Sequence, residues 1–273
     1  MSKIWFITGS SRGLGRRFTE AALSRGDKVA ATARNTDALA DLVAAHGDAI
    51  LPLPLDVTDK TAVTESVQHA HEHFGRLDVV VNNAGYGLFG MVEELTEDDV
   101  RAQFETNMFG TLWVIQAALP YLRAQGSGHI INVSSLLGLA AFPTTGGYTA
   151  TKAAVEGLSD SLAQEVAAFG IKVTVVEPGP FGTEFNTSSA YSAPLSAYDS
   201  FREAVNASFA TLPNPDPAGV GPALLKVVDA DTPPSRIFFG TFPLQVVPQI
   251  YADRLEGWQE WAEVSAAAEA SPA

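Results

Sequence analysis

Ile4-Trp5-Phe6-Ile7 is an apolar run stopped by Thr8-Gly9, the pattern of a buried strand. Ser10 to Gly15 is a polar, glycine-spaced turn, and Arg16 to Arg25 has helical spacing ended by Gly26. The same alternation continues. Strands are predicted at Lys28 to Ala33, Ile50 to Leu55, Leu77 to Asn82, His129 to Val133, Lys172 to Glu177 and Arg236 to Phe239. Helices are predicted at Thr36 to His46, Lys60 to Phe74, Glu97 to Ala124 (interrupted by Pro120), Tyr148 to Phe169, Pro217 to Asp229 and Gln249 to Glu269. Strands alternating with helices imply an α/β fold: a doubly wound parallel sheet of about seven strands with helices on both faces. Residues 184 to 213 break the pattern. They are rich in Ser, Ala, Tyr and Phe, show no clear strand, and are expected to form a lid over a site. No repeat or linker splits the chain, so residues 1–273 are read as a single domain with a helical tail near 249–269 and a frayed, Ala/Ser/Pro-rich end.

Composition narrows the partners. The net charge of −14 disfavours nucleic acid and anionic membranes. Without cysteine there is no disulfide framework, thiolate nucleophile or thiolate metal site. Met1-Ser2-Lys3 runs straight into the first strand, leaving no room for a signal peptide. No apolar run is long enough to span a bilayer. The expected location is cytoplasmic. His69, His71 and His73 resemble a metal cluster, but no further ligand accompanies them. They are read as a solvated helix face, and no metal site is expected.

Tyr148 and Lys152 are four residues apart, on one face of a helix. An ammonium beside a phenol favours the phenolate and draws the phenol toward working pH, as a general acid/base requires. By itself the pair is also compatible with an exposed helix pair.

The turn Thr8-Gly9-Ser10-Ser11-Arg12-Gly13-Leu14-Gly15 lies between the first strand and the first helix. Gly9 can make the tight turn, Gly13 admits a pyrophosphate close to the backbone, and Gly15 lets helix and strand pack closely. The free N–H groups of the helix end, including those near Ser11 and Leu14, suit phosphate. At the end of the second strand an acid would bind the 2′-hydroxyl of NAD, whereas an arginine would accept the 2′-phosphate of NADP. Here the corner reads Ala33-Arg34-Asn35, and Arg12 is placed to join Arg34. NADP(H) is therefore favoured over NAD(H). Asp56-Val57 and Asn83-Ala84-Gly85 follow the third and fourth strands, where adenine and ribose would lie.

Together these features resemble the short-chain dehydrogenase/reductase family over residues 3 to about 185. The resemblance is carried by Thr8-Gly9-x-x-x-Gly13-x-Gly15, Asp56-Val57, Asn82-Asn83-Ala84-Gly85, Asn107, Ser135, Tyr148-x-x-x-Lys152, and Pro178-Gly179 leading to Thr183. It implies a Rossmann-type fold and hydride transfer between a nicotinamide and an alcohol/carbonyl pair. By the same resemblance Tyr148 is the proton donor, and Lys152 binds the nicotinamide ribose and lowers the Tyr148 pKa. Ser135 holds the substrate oxygen. Asn107 bends its helix and holds a relay water. Pro178, Gly179 and Thr183 shape the nicotinamide site. A weaker likeness points to the steroid and retinol dehydrogenases, and the family implies a homo-oligomer, dimer or tetramer.

The expected walls of the substrate pocket are Leu88-Phe89, Leu136-Leu137, Phe142, Phe181 and Phe185, with Tyr191, Leu195, Tyr198 and Phe201 from the lid. No Lys or Arg lies between Lys172 and Arg202, so that stretch offers no charged clamp for a phosphate or carboxylate. The expected substrate is a small, neutral, largely apolar ketone, aldehyde or secondary alcohol. The rival reading is a non-catalytic NADP(H)-binding or redox-sensing protein. A third is dehydration or epimerisation on the same scaffold.

Overall fold

The structure, a computed structural model, describes residues 2–269. Its elements in chain order begin with β1 (Ile4–Ile7), α1 (Gly13–Ser24), β2 (Lys28–Ala33), α2 (Ala40–His46), β3 (Ile50–Pro54), α3 (Lys60–Phe74) and β4 (Val79–Asn82). There follow β5 (Leu88–Phe89), α4 (Glu97–Phe104), α5 (Gly110–Gln125), β6 (Gly128–Val133), α6 (Gly146–Val166) and β7 (Ile171–Pro178). The chain continues with β8 (Ala190–Tyr191), α7 (Asp199–Phe209), α8 (Val220–Asp229), β9 (Arg236–Phe239), α9 (Phe242–Glu260) and α10 (Ala262–Ala267). Seven strands form one parallel sheet in the order β3-β2-β1-β4-β6-β7-β9. The strand order reverses between β1 and β4, and ligands of such sheets bind outside the carboxyl strand ends at that reversal.

Period-2 alternation in β1 builds both layers of the core. Trp5 and Ile7 face one side, with Phe18 and Leu23 of α1 and Leu224 and Val228 of α8. Ile4 and Phe6 face the other, with Val63 and Val67 of α3, Val114 and Leu122 of α5, and Leu162 of α6. Each such side chain contributes about 1.5–3 kcal/mol on burial. β4 begins two residues later than the pattern predicts, because Asp78 is held outside the strand. Its carboxylate accepts from the Ile4 N–H at 2.8 Å and pairs with Arg76.

The helical stretch predicted from Glu97 to Ala124 is interrupted, though not at Pro120. Pro120 lies inside α5 with its ring exposed, and the carbonyl it leaves unpaired is that of Gln116, also on the solvent side. The irregularity is instead a π-helical turn over Glu105–Phe109, between α4 and α5. Asn107, fully buried, sits at its middle.

Residues 184–213 are more ordered than their sequence suggests. β8 pairs in parallel with β5, and α7 fills the second half. Arg202 of α7 is tied to Glu94, whose carboxylate also accepts from the N–H groups of Met91 and Leu195, each at 2.8 Å. α9 starts at Phe242, seven residues before the predicted Gln249, with Pro243 in its first turn, a position that tolerates proline because its N–H has no helical partner there. Trp258 and Trp261 are 69% and 64% exposed and so do not pack on their own subunit. The end predicted to fray covers residues 270–273, outside the described residues.

Among the described residues no helix is long and apolar enough to cross a membrane. No group of three His, Cys, Asp or Glu is placed to hold a metal among them either. His71 stacks on Tyr121 at 4.2 Å between ring centroids, and His69 and His73 meet edge-on at 6.4 Å.

Candidate active site

A cleft of about 1150 Å³ opens along the carboxyl ends of β1, β2, β3, β4, β6 and β7. Of the predicted cofactor residues, Gly9, Ser11, Arg12, Gly13, Leu14, Arg34, Asp56, Val57, Asn83, Ala84 and Gly85 line it. Tyr148, Lys152, Pro178, Gly179 and Thr183 line it as well. Gly15 does not. It is buried beneath the turn, where an added Cβ would lie 2.3 Å from both the Gly9 carbonyl oxygen and Asn83 Nδ2.

The turn is held open by backbone geometry and by Asn83. Gly9 has φ +68° and Gly13 φ +55°, both costly for a residue with a Cβ. Asn83 Nδ2 donates to the carbonyls of Thr8 and Gly9 at 3.0 and 3.1 Å. Thr8 Oγ1 accepts from the N–H groups of Asn83 and Ala84 at 2.9 and 3.0 Å. The Asn83 amide thus clamps the glycine turn instead of reaching out toward a ribose. Gly15→Ala would press a methyl group into this clamp. The alanine variant is expected to unfold roughly 3–10 °C below wild type, from about 1–3 kcal/mol of overpacking. A melt indistinguishable from wild type would show that the turn can yield.

α1 begins at Gly13 with no acid in its first turn and no side-chain cap from Arg12, so its leading N–H groups are open to an anion. Arg12 and Arg34 are both exposed at the cleft. Neither forms an ion pair among the described residues, whereas their neighbour Arg16 is tied to Glu20 and Asp41 and Arg17 to Glu20. Asp56 Oδ1 accepts from the N–H and hydroxyl of Thr58 at 3.0 and 2.8 Å.

At the other end of the cleft, α6 places Tyr148 and Lys152 on one buried face, 6% and 5% exposed. Lys152 Nζ donates to the Val133 carbonyl at 2.8 Å and lies 5.7 Å from the Tyr148 ring centroid. Ser135 follows β6, and its Oγ accepts from the Leu137 N–H at 3.1 Å. Burial holds the Tyr148 phenol well above its usual value, opposed by Ser135. Burial lowers Lys152 to about 8, opposed by Glu156. The sequence predicts Lys152 drawing Tyr148 down, whereas in the structure burial raises the phenol and Ser135 opposes it.

Asn107 lies behind this floor and does not line the cleft. Its Oδ1 accepts from the Tyr86 N–H at 3.1 Å, and its Nδ2 donates to the Tyr86 carbonyl at 2.9 Å and to Thr151 Oγ1 at 3.0 Å. Its own carbonyl accepts from the Thr111 hydroxyl at 3.0 Å. Gly85 fills the space between, because a Cβ there would approach Asn107 Oδ1 to 3.0 Å.

The pocket wall agrees with the sequence reading in part. Phe89, Leu136, Leu137, Phe142, Phe181 and Phe185 line the cleft. Leu88 is buried in the protein, and Tyr191, Leu195, Tyr198 and Phe201 lie elsewhere. Tyr198 instead donates to Glu93 at 2.7 Å. The lid lines the cleft at both ends, with Phe185 at its start and Phe209 and Leu212 at its far end supplying the apolar surface, and Phe242 of α9 is added. Phe209, Leu212 and Phe242 do not follow from hydrophobic periodicity. Pro213, which stops α7, and Pro243 in the first turn of α9 were the available signals.

A doubly wound sheet, a glycine turn at its strand reversal and a buried Tyr-Lys pair define a nucleotide-binding α/β oxidoreductase site. Residues 3–193 match the short chain dehydrogenase family. The chain is 42% identical to oxidoreductase BOA17 of Botryotinia fuckeliana, covering 98% of this chain and 99% of that one. It is 35% identical to a 3-ketodihydrosphingosine reductase of Bacteroides thetaiotaomicron, covering 87% and 88%. A solved short-chain dehydrogenase from Streptomyces avermitilis superposes with a TM-score of 0.93 at 39% identity, covering 99% of this chain and 100% of that one. A Burkholderia cenocepacia short chain dehydrogenase solved with NADP has 27% identity and a TM-score of 0.76, covering 95% and 97%. A Burkholderia phymatum one solved with NAD shares the fold at 23% identity and a TM-score of 0.83, covering 94% and 95%. The chain belongs to the short-chain dehydrogenase/reductase family and is an oxidoreductase.

Proposed function

We propose that this protein reduces a neutral, largely apolar ketone or aldehyde, or oxidises the corresponding secondary alcohol, with NADP(H). The observation that carries the reading is the buried Tyr148-Lys152 pair with Ser135, set at the end of the cleft that begins at the glycine turn. The residues fit a nicotinamide dinucleotide. Gly9 and Gly13 adopt positive φ beside the open end of α1, and Arg12 and Arg34, without ion pairs among the described residues, line the same cleft and could accept a 2′-phosphate. NADP(H), when bound, supplies or takes up a hydride at the nicotinamide C4.

Tyr148 donates the proton to the forming alkoxide, and Ser135 holds the substrate oxygen by a hydrogen bond. Lys152 binds the ribose hydroxyls beside them, with its ammonium fixed by the Val133 carbonyl. Asn107 acts from behind, setting the backbone at Tyr86 and the position of α6 through Thr151. Phe89, Phe142, Phe185, Phe209 and Leu212 exclude water and select apolar substrates. Glu184, at the start of the lid, is the charged residue that the lid adds to the cleft, and an acid there disfavours anionic substrates. A 3-ketodihydrosphingosine reductase among the relatives supports a carbonyl substrate.

The exposed stripe Leu244, Tyr251, Leu255 and Trp258 on α9 supports a homo-oligomer. The negative charge disfavours nucleic acid and anionic membranes as partners, and the composition fits a cytoplasmic location.

The test is NADPH oxidation with a panel of neutral ketones and aldehydes set against acyl-CoA thioesters. Turnover confined to the neutral carbonyls is expected. Faster turnover of the thioesters would overturn the substrate class. Tight NADPH binding with no turnover of any panel member would favour the sensor reading.

A further inference from the structure

α6 carries a third buried polar side chain in line with the pair at the cleft. Glu156 lies four residues beyond Lys152 and is also 5% exposed. Its Oε2 is paired with Arg236 of β9. Arg236 also donates to Glu177 of β7 at 3.1 Å and pairs with Asp160, one turn further along α6. Glu177 is 1% exposed. The other oxygen of Glu156, Oε1, has no hydrogen-bond partner among the described residues, and neither has the buried hydroxyl of Ser134. The two atoms border one gap, since a Cβ on Gly138 would lie 2.6 Å from Ser134 Oγ and 3.0 Å from Glu156 Oε1. Ser134 in turn lines the cleft beside Ser135. Glu156, Arg236 and the exposed Asp160 thus form a chain of charge leading to the surface, with Ser134 between Glu156 and the cleft.

Three carboxylates around one guanidinium leave a surplus of negative charge in a place where unpaired charge is costly. Burial, with Glu156 beside it, raises Glu177 to about 7. Burial raises Glu156 as well, and Arg236 opposes that rise, so the guanidinium favours the charged carboxylate beside Lys152. We infer that Glu156, held by Arg236 and backed by Glu177, is a positioning residue for Lys152, the internal counter-charge that keeps a desolvated ammonium charged at the cleft floor. The inference rests on the reading of Lys152 as part of the proton-handling pair. It gives a function to buried acids that a merely structural account leaves as a cost.

The experiment is a pH titration of the Lys152 ε-carbon by NMR in protein labelled with ¹³C-lysine, the signal assigned by its loss in Lys152→Met. Unit charges about 6 Å apart in an effective dielectric near 20 interact enough to move a pKa by roughly two units. Removing the negative charge disfavours the ammonium, so Glu156→Gln is expected to lower the midpoint by about one to two pH units. Glu156→Asp should keep most of the wild-type value. A merely structural role would lower thermal stability and leave the midpoint in place. A midpoint within about 0.3 unit of wild type in Glu156→Gln overturns the inference. If that variant does not fold, Glu156→Ala, which removes the same charge and leaves room for water, carries the test, with a shift in the same direction expected and an unmoved midpoint overturning it. The titration needs no turnover, so its failure is distinguishable from failure of the proposed activity, which Tyr148→Phe tests separately.

Discussion

Tyr148→Phe is expected to lower kcat for carbonyl reduction by about 100- to 10,000-fold, the usual worth of a placed proton donor. NADPH affinity should stay within a factor of about three, because the substitution removes one hydroxyl and no charge. The packing makes this a clean test. The Tyr148 ring sits 5.5 Å from that of Phe185 and 6.5 Å from that of Phe89, and phenylalanine fills the same space. The folded state should therefore survive, and a melt close to wild type is the control. The hydroxyl that is lost is the one that burial keeps protonated and that Ser135 opposes. A phenol held high is poised to hold its proton until an alkoxide, a much stronger base than water, forms beside it. Activity within a factor of a few of wild type would remove Tyr148 from the chemistry.

The second large effect concerns the choice of cofactor. Arg34→Glu is expected to raise the KM for NADPH by roughly 10- to 1,000-fold, through loss of charge-assisted hydrogen bonds and gain of repulsion. The KM for NADH should fall or stay level, since a carboxylate at that corner can accept from a ribose hydroxyl. Arg34 follows the last residue of β2, is exposed, and has no carboxylate partner among the described residues to compete for it. Arg12, at the start of α1, faces the same cleft. If the clamp is shared, Arg12→Ala weakens NADPH by a smaller factor and leaves NADH unaffected. An unchanged KM for NADPH in Arg34→Glu would mean that the guanidinium stays in water and that the preference lies elsewhere.

Local pattern made the sheet legible. β2, α3 and β9 fall on the bounds that hydrophobic periodicity predicts, since each is closed by a polar or glycine signal a few residues away. The cleft was legible for a related reason. Its functional side chains sit at strand ends and on the first turns of helices, positions that short motifs mark directly. What escaped was whatever depends on distant contact. α7 buries Val205 as its main apolar residue and is secured by Arg202 to Glu94, a pair 108 residues apart in sequence, which no window of periodicity can sense. The pairing of β5 with β8 involves two residues on each strand. The pocket wall differs from its sequence expectation for the same reason: Tyr191, Leu195, Tyr198 and Phe201, in the middle of the segment, lie away from the cleft, which its two ends line. The balance of forces on Tyr148 was also out of reach, because spacing reveals a neighbouring ammonium but not the depth of burial that opposes it.

Hydride transfer from NADPH to a carbonyl carbon, with Tyr148 as proton donor, is the step on which the proposed function stands. The most direct measurement uses NADPH deuterated at the transferable C4 position and a neutral aryl or alkyl ketone, with the product read by mass spectrometry and NMR. One deuterium at the carbinol carbon in the wild type, and a product yield lower by at least about 100-fold in Tyr148→Phe, is the predicted result. Alcohol formed without deuterium at that carbon, or formed as fast by Tyr148→Phe, would contradict it.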